Sequence, residues 1–214
     1  MVDIKANKSV YLSLLREALS DTDFYTIEAY LDNTDFFTAP ASTRFHLSEP
    51  GGLCQHSLNV YFSALSLNNI FGLKNNHSII LCSLLHDICK ADVYSQEYKN
   101  VKVYDEDALA KADKRKIKKD SRGEYIWVQK LQYVFDDRWP FGHGSKSAYI
   151  VSNLIDLTPE EAMAIRYHMG AFEDGDKNNC SKVYETNKLA LLIHFSDMYA
   201  SKVMEGEQNE KTEV

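Results

Sequence analysis

The segment from about His77 to Ala91 constrains this fold more than any other. Ile79, Ile80, Leu81, Cys82, Leu84, Leu85 and Ile88 cover nearly its whole circumference. A helix that is apolar all round is buried in the middle of a helical assembly, so its polar residues need partners. Two stand near its end, His86 and Asp87. A buried carboxylate is costly unless it is paired or coordinates a metal. Lys90 follows Asp87 by three residues, on the same helical face. Asn75 or Asn76 supplies the N-cap.

Helical periodicity dominates elsewhere. Val10, Leu14, Leu15, Ala18 and Leu19 form one stripe, and Phe24, Ile27, Ala29 and Leu31 a second, opened by Asp21 or Asp23. Residues 36–52, with Pro40, Pro50 and two adjacent glycines, read as an extended connection. A helix is expected over 53–71. From 94 to 141 the pattern changes: Val101, Val103, Ile126, Val128, Leu131, Tyr133 and Phe135 suggest a hairpin with long arms. The charged stretch Asp105 to Arg122 lies between the arms and holds a short exposed helix. Helical pattern returns over 145–157. Thr158-Pro159-Glu160-Glu161 then has the form of a capping box with proline at the first position, and that helix ends at Gly170. A last helix spans 187–203. The terminal string EGEQNEKTEV is polar and reads as disordered. No internal repeat is present.

The chain has 214 residues, 44% of them hydrophobic, and a formal net charge of -7. That fits one large domain and argues against broad steering onto nucleic acid. The run KADKRKIKK, Lys111 to Lys119, reads as a solvated face in preference to a nucleic-acid contact. The four cysteines, Cys54, Cys82, Cys89 and Cys180, form no Cys-x-x-Cys pair, which excludes a zinc ribbon or dithiol motif. The N-terminus lacks an apolar signal core, and no apolar run reaches the roughly 20 residues of a membrane span. A reduced, cytoplasmic protein without a membrane partner is expected.

Partners for His86-Asp87 are available on other helices. His56 falls in the first turn of the 53–71 helix. His143 lies where a loop opens into a helix, His168 just before Gly170, and Asp197 on an inward stripe with Ile193 and Ala200. Imidazoles and carboxylates on separate helices are a common way to build a dinuclear site. His194, one turn before Asp197, reads as structural.

The order His56, His86-Asp87, His143, His168, Asp197 resembles the signature of the HD-domain metal-dependent phosphohydrolase superfamily. The strings GGLCQHSLNV, LLHDICK, GHGSKS, IRYHMG and LLIHFSDM carry the likeness. APASTRFHLSEPGGLCQHSL is also similar to the HD domain attached to a group of bacterial 3′→5′ exoribonucleases. The resemblance covers residues 36 to 205. It implies an all-α fold, an HD-domain helical bundle with a small β-hairpin insertion at about 94–141. Residues 1–35 would be helices packed on its core and 206–214 a disordered tail. It further implies that His56, His86, Asp87 and Asp197 hold one metal, and that Asp87 bridges to a second held by His143 and His168. Nitrogen and oxygen donors suit Mn or Fe, one or two ions per chain. His168-Met169 stands where many HD proteins carry paired histidines.

The expected activity is hydrolysis of a phosphate ester in a small phosphorylated substrate such as a nucleotide, with Asp87 and Lys90 as catalytic residues. Arg44, His46 and Lys146 are candidates for binding its phosphate. Two alternatives share the ligand order: an HD-fold mixed-valence di-iron oxygenase, and a non-catalytic nucleotide-binding or interaction module.

Overall fold

The computed structural model describes residues 2–171 and 177–206. Two N-terminal helices, α1 (Ile4–Ala18) and α2 (Asp21–Asp32), lead into an irregular connection. Then come α3 (Gly52–Phe71), α4 (Asn76–Leu85) and a 3-10 turn at Ile88–Lys90. Strand β1 (Tyr94–Val103), α5 (Glu106–Lys111), β2 (Lys118–Asp120) and β3 (Gly123–Phe135) follow. The chain returns to helix in α6 (His143–Leu154), α7 (Pro159–Arg166), α8 (Lys177–Thr186) and α9 (Lys188–Tyr199), and α9 runs into a π-helical turn at Ala200–Met204.

Helix α3 packs against α4 and α9, and α1 lies on α3 and α4. As its all-round apolar pattern requires, α4 is buried: Ile79, Leu81, Leu84 and Leu85 expose 1% or less. Each such side chain contributes about 1.5–3 kcal/mol by burial, which together offsets the cost of holding polar groups at the helix end. The Tyr11 hydroxyl of α1 donates to the Leu84 carbonyl at 2.7 Å, so the N-terminal helices share this core.

Helix starts follow their side-chain caps. Asn75 accepts from the Ser78 amide to open α4. Thr158 and Glu161 form the capping box of α7. At α2 the cap is Ser20, which accepts from the Asp23 amide, and not Asp21 or Asp23 themselves. Helix ends differ more from expectation. Helix α4 stops at Leu85, short of the expected Ala91, because Asp87 leaves helical geometry at φ -109 and ψ 16. Helix α7 stops at Arg166, and residues 167–170 form a turn that Gly170 closes at φ 66.

The expectation of an all-α chain is overturned by a three-stranded antiparallel sheet of order β1-β3-β2. The long arms of the expected hairpin are present, with Tyr94 opposite Phe135 and Val103 opposite Ile126. The third strand lies inside the charged stretch. Lys118–Asp120 has no apolar alternation to announce it; it is held by pairing with Gly123–Tyr125 and by Asp120, which accepts from the Tyr104 hydroxyl at 2.9 Å. Among the described residues no helix is long and apolar enough to cross a membrane. The tail expected to be disordered lies, from residue 207 on, outside the described residues.

Candidate metal centre

Six elements bring the site together. His56 comes from the first turns of α3, His86 caps α4, and Asp87 precedes the 3-10 turn. His143 opens α6, His168 sits in the turn after α7, and Asp197 lies near the end of α9. Ending α4 at His86 matters here. Successive residues of an intact helix diverge by ~100°. The break at Asp87 frees its carboxylate to meet imidazoles on α6 and after α7.

The six residues expected to be ligands converge. The two carboxylate oxygens of Asp87 face different imidazole pairs. Oδ2 lies 3.4 Å from His86 Nε2 and 3.6 Å from His56 Nε2. Oδ1 lies 2.5 Å from His143 Nε2 and 3.4 Å from His168 Nε2. Asp197 Oδ1 is 3.2 Å from His56 Nε2. His56, His86, Asp87, His168 and Asp197 are buried, while His143 borders solvent.

All four imidazoles turn Nε2 inward and have Nδ1 occupied by an outer partner. His86 Nδ1 is 2.8 Å from the Ser83 carbonyl and His168 Nδ1 is 2.7 Å from the Ile165 carbonyl. A carbonyl only accepts, so both rings carry their proton on Nδ1 and leave Nε2 as a lone pair. His56 Nδ1 lies 3.1 Å from both oxygens of Glu205. His143 Nδ1 meets Cys89 Sγ at 3.4 Å. His168 Nε2 is buried and has no hydrogen-bond partner, and the Nε2 atoms of His56 and His86 face each other at 3.3 Å. Turned inward, these nitrogens either carry protons toward the carboxylates, as His56 does, or present lone pairs to a cation. These groups could hold a metal ion: His56, His86 and Asp197 in one cluster, and His86, Asp87 and His168 in the next, which Asp87 extends to Cys89 and His143.

Electrostatics agree with tight mutual dependence. Burial pulls the His56 pKa down, but Glu205 and Asp197 outweigh it and hold it up at about 10. Burial raises Asp87, yet Lys90, His86 and His143 drive it well below the usual carboxylate range. Asp197 is likewise pushed up by burial and pulled further down by His56. Burial also opposes the charge on Lys90, whose ammonium is kept charged mainly by Asp87 Oδ2 at 2.7 Å.

The expected phosphate-binding residues divide. His46 stands beside the site, its ring 5.0 Å from that of His56 and its Nε2 4.0 Å from Glu205 Oε2. Burial, helped by the charges on His56 and Lys90, lowers its pKa to about 4, so the ring is neutral. Arg44 is exposed and stacks on Phe45, with no contact to the cluster. Lys146 is buried one turn after His143, binds Asp137 at 2.7 Å and lines a cavity with Cys89 and Trp139. Its three-residue spacing from His143 gave proximity but not direction.

Glu205 was not among the sequence candidates. It is 2% exposed, contacts His56 Nδ1, and accepts from the Asn59 amide at 2.8 Å. The π-helical turn after α9 carries it there. Its place within a polar string hid it, and a lone glutamate after an apolar helix gives no signal of its own. His194 proves structural: its Nδ1 donates to the His168 carbonyl at 2.6 Å and steadies that turn. Comparison with protein-family models, curated proteins and solved structures finds no match.

Proposed function

We propose that this chain is a metal-dependent phosphohydrolase of the HD type, acting on a phosphate ester of the nucleotide class. The observation that supports it most is the buried, partnerless Nε2 of His168, together with three further Nε2 atoms turned toward Asp87. His56, His86, Asp87 and Asp197 would hold one ion, and Asp87, His143 and His168 a second. The separate imidazole pairs facing Asp87 Oδ1 and Oδ2 favour Asp87 as the residue common to both. Mn or Fe suits this donor set. Bound divalent ions supply an acidified water as nucleophile and neutralise charge on the phosphate.

The protein's own groups do the rest. Ser83, Ile165 and Glu205 fix the ring orientations before any ion arrives, so little reorganisation is needed. The partly exposed members, Lys90, His46 and His143, form the rim that an incoming anion meets. Lys90 can donate to a phosphate oxygen while staying within reach of Asp87.

The test is a Mn²⁺-dependent phosphate-release assay on a nucleotide panel, alongside metal analysis of the protein purified without added metal. Turnover abolished by Asp87→Ala at unchanged helical content is expected. Two irons with an O₂-dependent product, or no turnover and no metal, would reject the reading.

A further inference from the structure

The three-stranded sheet sorts its side chains by chemistry. In the β1–β3 register, even-numbered residues of β1 and odd-numbered residues of β3 share a face. All six aromatic residues of these strands lie there: Tyr94, Tyr98, Tyr125, Trp127, Tyr133 and Phe135. The opposite face has none; it carries Val101, Val103, Ile126, Val128 and Val134, all half-buried. Both carboxylates of the two long strands, Glu97 and Glu124, are also on that opposite face.

Packing accounts for part of this segregation, since Tyr125 is buried and Tyr94 packs on the core and donates to the Ala41 carbonyl at 3.3 Å, but not for the rest. Tyr98 is 72% exposed, and Trp127, Leu131 and Phe135 are each about half exposed. Phe135, Leu131 and Trp127 recur every four residues along β3, so they span about 26 Å at roughly 3.3 Å per residue. Tyr98 sits opposite Leu131 in the middle of that line. The remaining positions are Gln96, Asn100, Gln129, Gly123, Lys102, Lys118 and Asp120, whose carboxylate pairs with the Lys102 ammonium. Lys102 lies 4.4 Å from the Tyr125 ring, and Lys118 pairs across the strands with Tyr125.

Charge distinguishes the whole segment from the rest of the chain. Residues 94–135 carry ten Lys and Arg against seven Asp and Glu, while the rest of the chain carries 14 against 24. A basic, aromatic-faced sheet thus projects from an acidic body. A second copy of the chain would bring aromatic face to aromatic face but also set two net-basic segments together. A polyanion with flat apolar faces matches both properties at once.

We infer that the aromatic face of the β1-β3-β2 sheet binds single-stranded nucleic acid, its bases stacking on Tyr98, Trp127 and Phe135 and its phosphates meeting Lys102 and Lys118. Base stacking on exposed aromatics with lysines along the backbone is the physical basis of sequence-tolerant single-strand binding. A duplex keeps its bases stacked internally and offers no faces to these rings. The body-proximal end of the face, Tyr94 opposite Phe135, follows the 3-10 turn of Lys90 by four residues. A bound strand would therefore lead toward the candidate metal centre. The inference stands without the hydrolase reading, because binding is measured with metal removed.

The experiment is fluorescence anisotropy of a labelled 12-nucleotide oligo(dT) with the full chain in EDTA, beside a duplex of the same length. Micromolar single-strand binding with weaker duplex binding is expected. Trp127→Ala and Tyr98→Ala should each weaken it about tenfold, while Trp127→Phe, which keeps an aromatic face, should restore most of it. Lys102→Ala should lower the salt dependence by about one phosphate. Both aromatic positions are exposed, so circular dichroism should show folded variants. No binding by the wild type, equal binding by Trp127→Ala, preference for duplex, or sedimentation as a dimer that Trp127→Ala dissociates would each overturn the inference.

Discussion

At the scale of single residues, the site depends on what holds the outer nitrogen of each imidazole. Glu205 is the plainest case, since it faces His56 Nδ1 with both oxygens. Loss of such an outer carboxylate lowers metal affinity about 10–100-fold in comparable sites. Glu205→Gln should therefore weaken Mn²⁺ uptake by that order in chelator competition, while His194→Ala should act through stability of the 167–170 turn and spare the first ion. The six candidate ligands were legible in the sequence because His and Asp at inward helical positions are costly and few. Glu205 was not, for a carboxylate in a polar string is ordinary, and only the π-helical turn brings it inside. Lys146 shows a related limit: spacing along the chain places a Cα, and the partner of its ammonium, Asp137, had no signal in the sequence.

At the scale of elements, close backbone approach positions the second half of the site. A Cβ on Gly144 would lie 2.0 Å from the Arg166 carbonyl oxygen, so α6 and α7 touch through backbone there. That contact sets His143 beside His168. Gly144→Ala should cost about 1–3 kcal/mol, a melting point lower by several degrees, and should loosen the second ion more than the first. Glu161 ties helix starts together. It accepts from the Thr158 amide at 2.9 Å and from the Ser78 hydroxyl of α4 at 2.6 Å. Burial raises its pKa, but the Ser78 and Thr158 hydrogen bonds outweigh this and lower it below its ordinary 4.5. A depressed carboxylate stabilises the fold above its unfolded pKa and stops doing so as pH falls through the folded one. Denaturant titration should show Glu161→Gln less stable by about 1–2 kcal/mol at pH 7, with the gap closing on acidification below about pH 4.5. The capping box was readable because its residue types are specific to helix starts, whereas the early end of α4 was not. Nothing in Asp87-Ile88-Cys89-Lys90 breaks a helix by propensity; convergence of Asp87 with His143 and His168 does so from outside.

At the scale of the whole molecule, an acidic helical body holds the metal-type cluster and a basic sheet projects from it. The long arms of that sheet were visible as β-branched and aromatic runs, but the strand Lys118–Asp120 was not, since pairing alone makes it a strand. If the cluster holds ions in the folded chain only, saturating metal stabilises the whole domain. At 100 times the dissociation constant the gain is about 2.7 kcal/mol, and chelation should lower the melting temperature by about 5–10 °C. The central claim, that Asp87 joins two metal positions, is tested most directly by titrating Mn²⁺ into the metal-stripped chain and its Asp87→Asn variant and counting equivalents bound. Two equivalents for the wild type, one after His168→Ala, and none at comparable affinity after Asp87→Asn are expected. Unchanged uptake by a folded Asp87→Asn, or no uptake by the wild type, would contradict it.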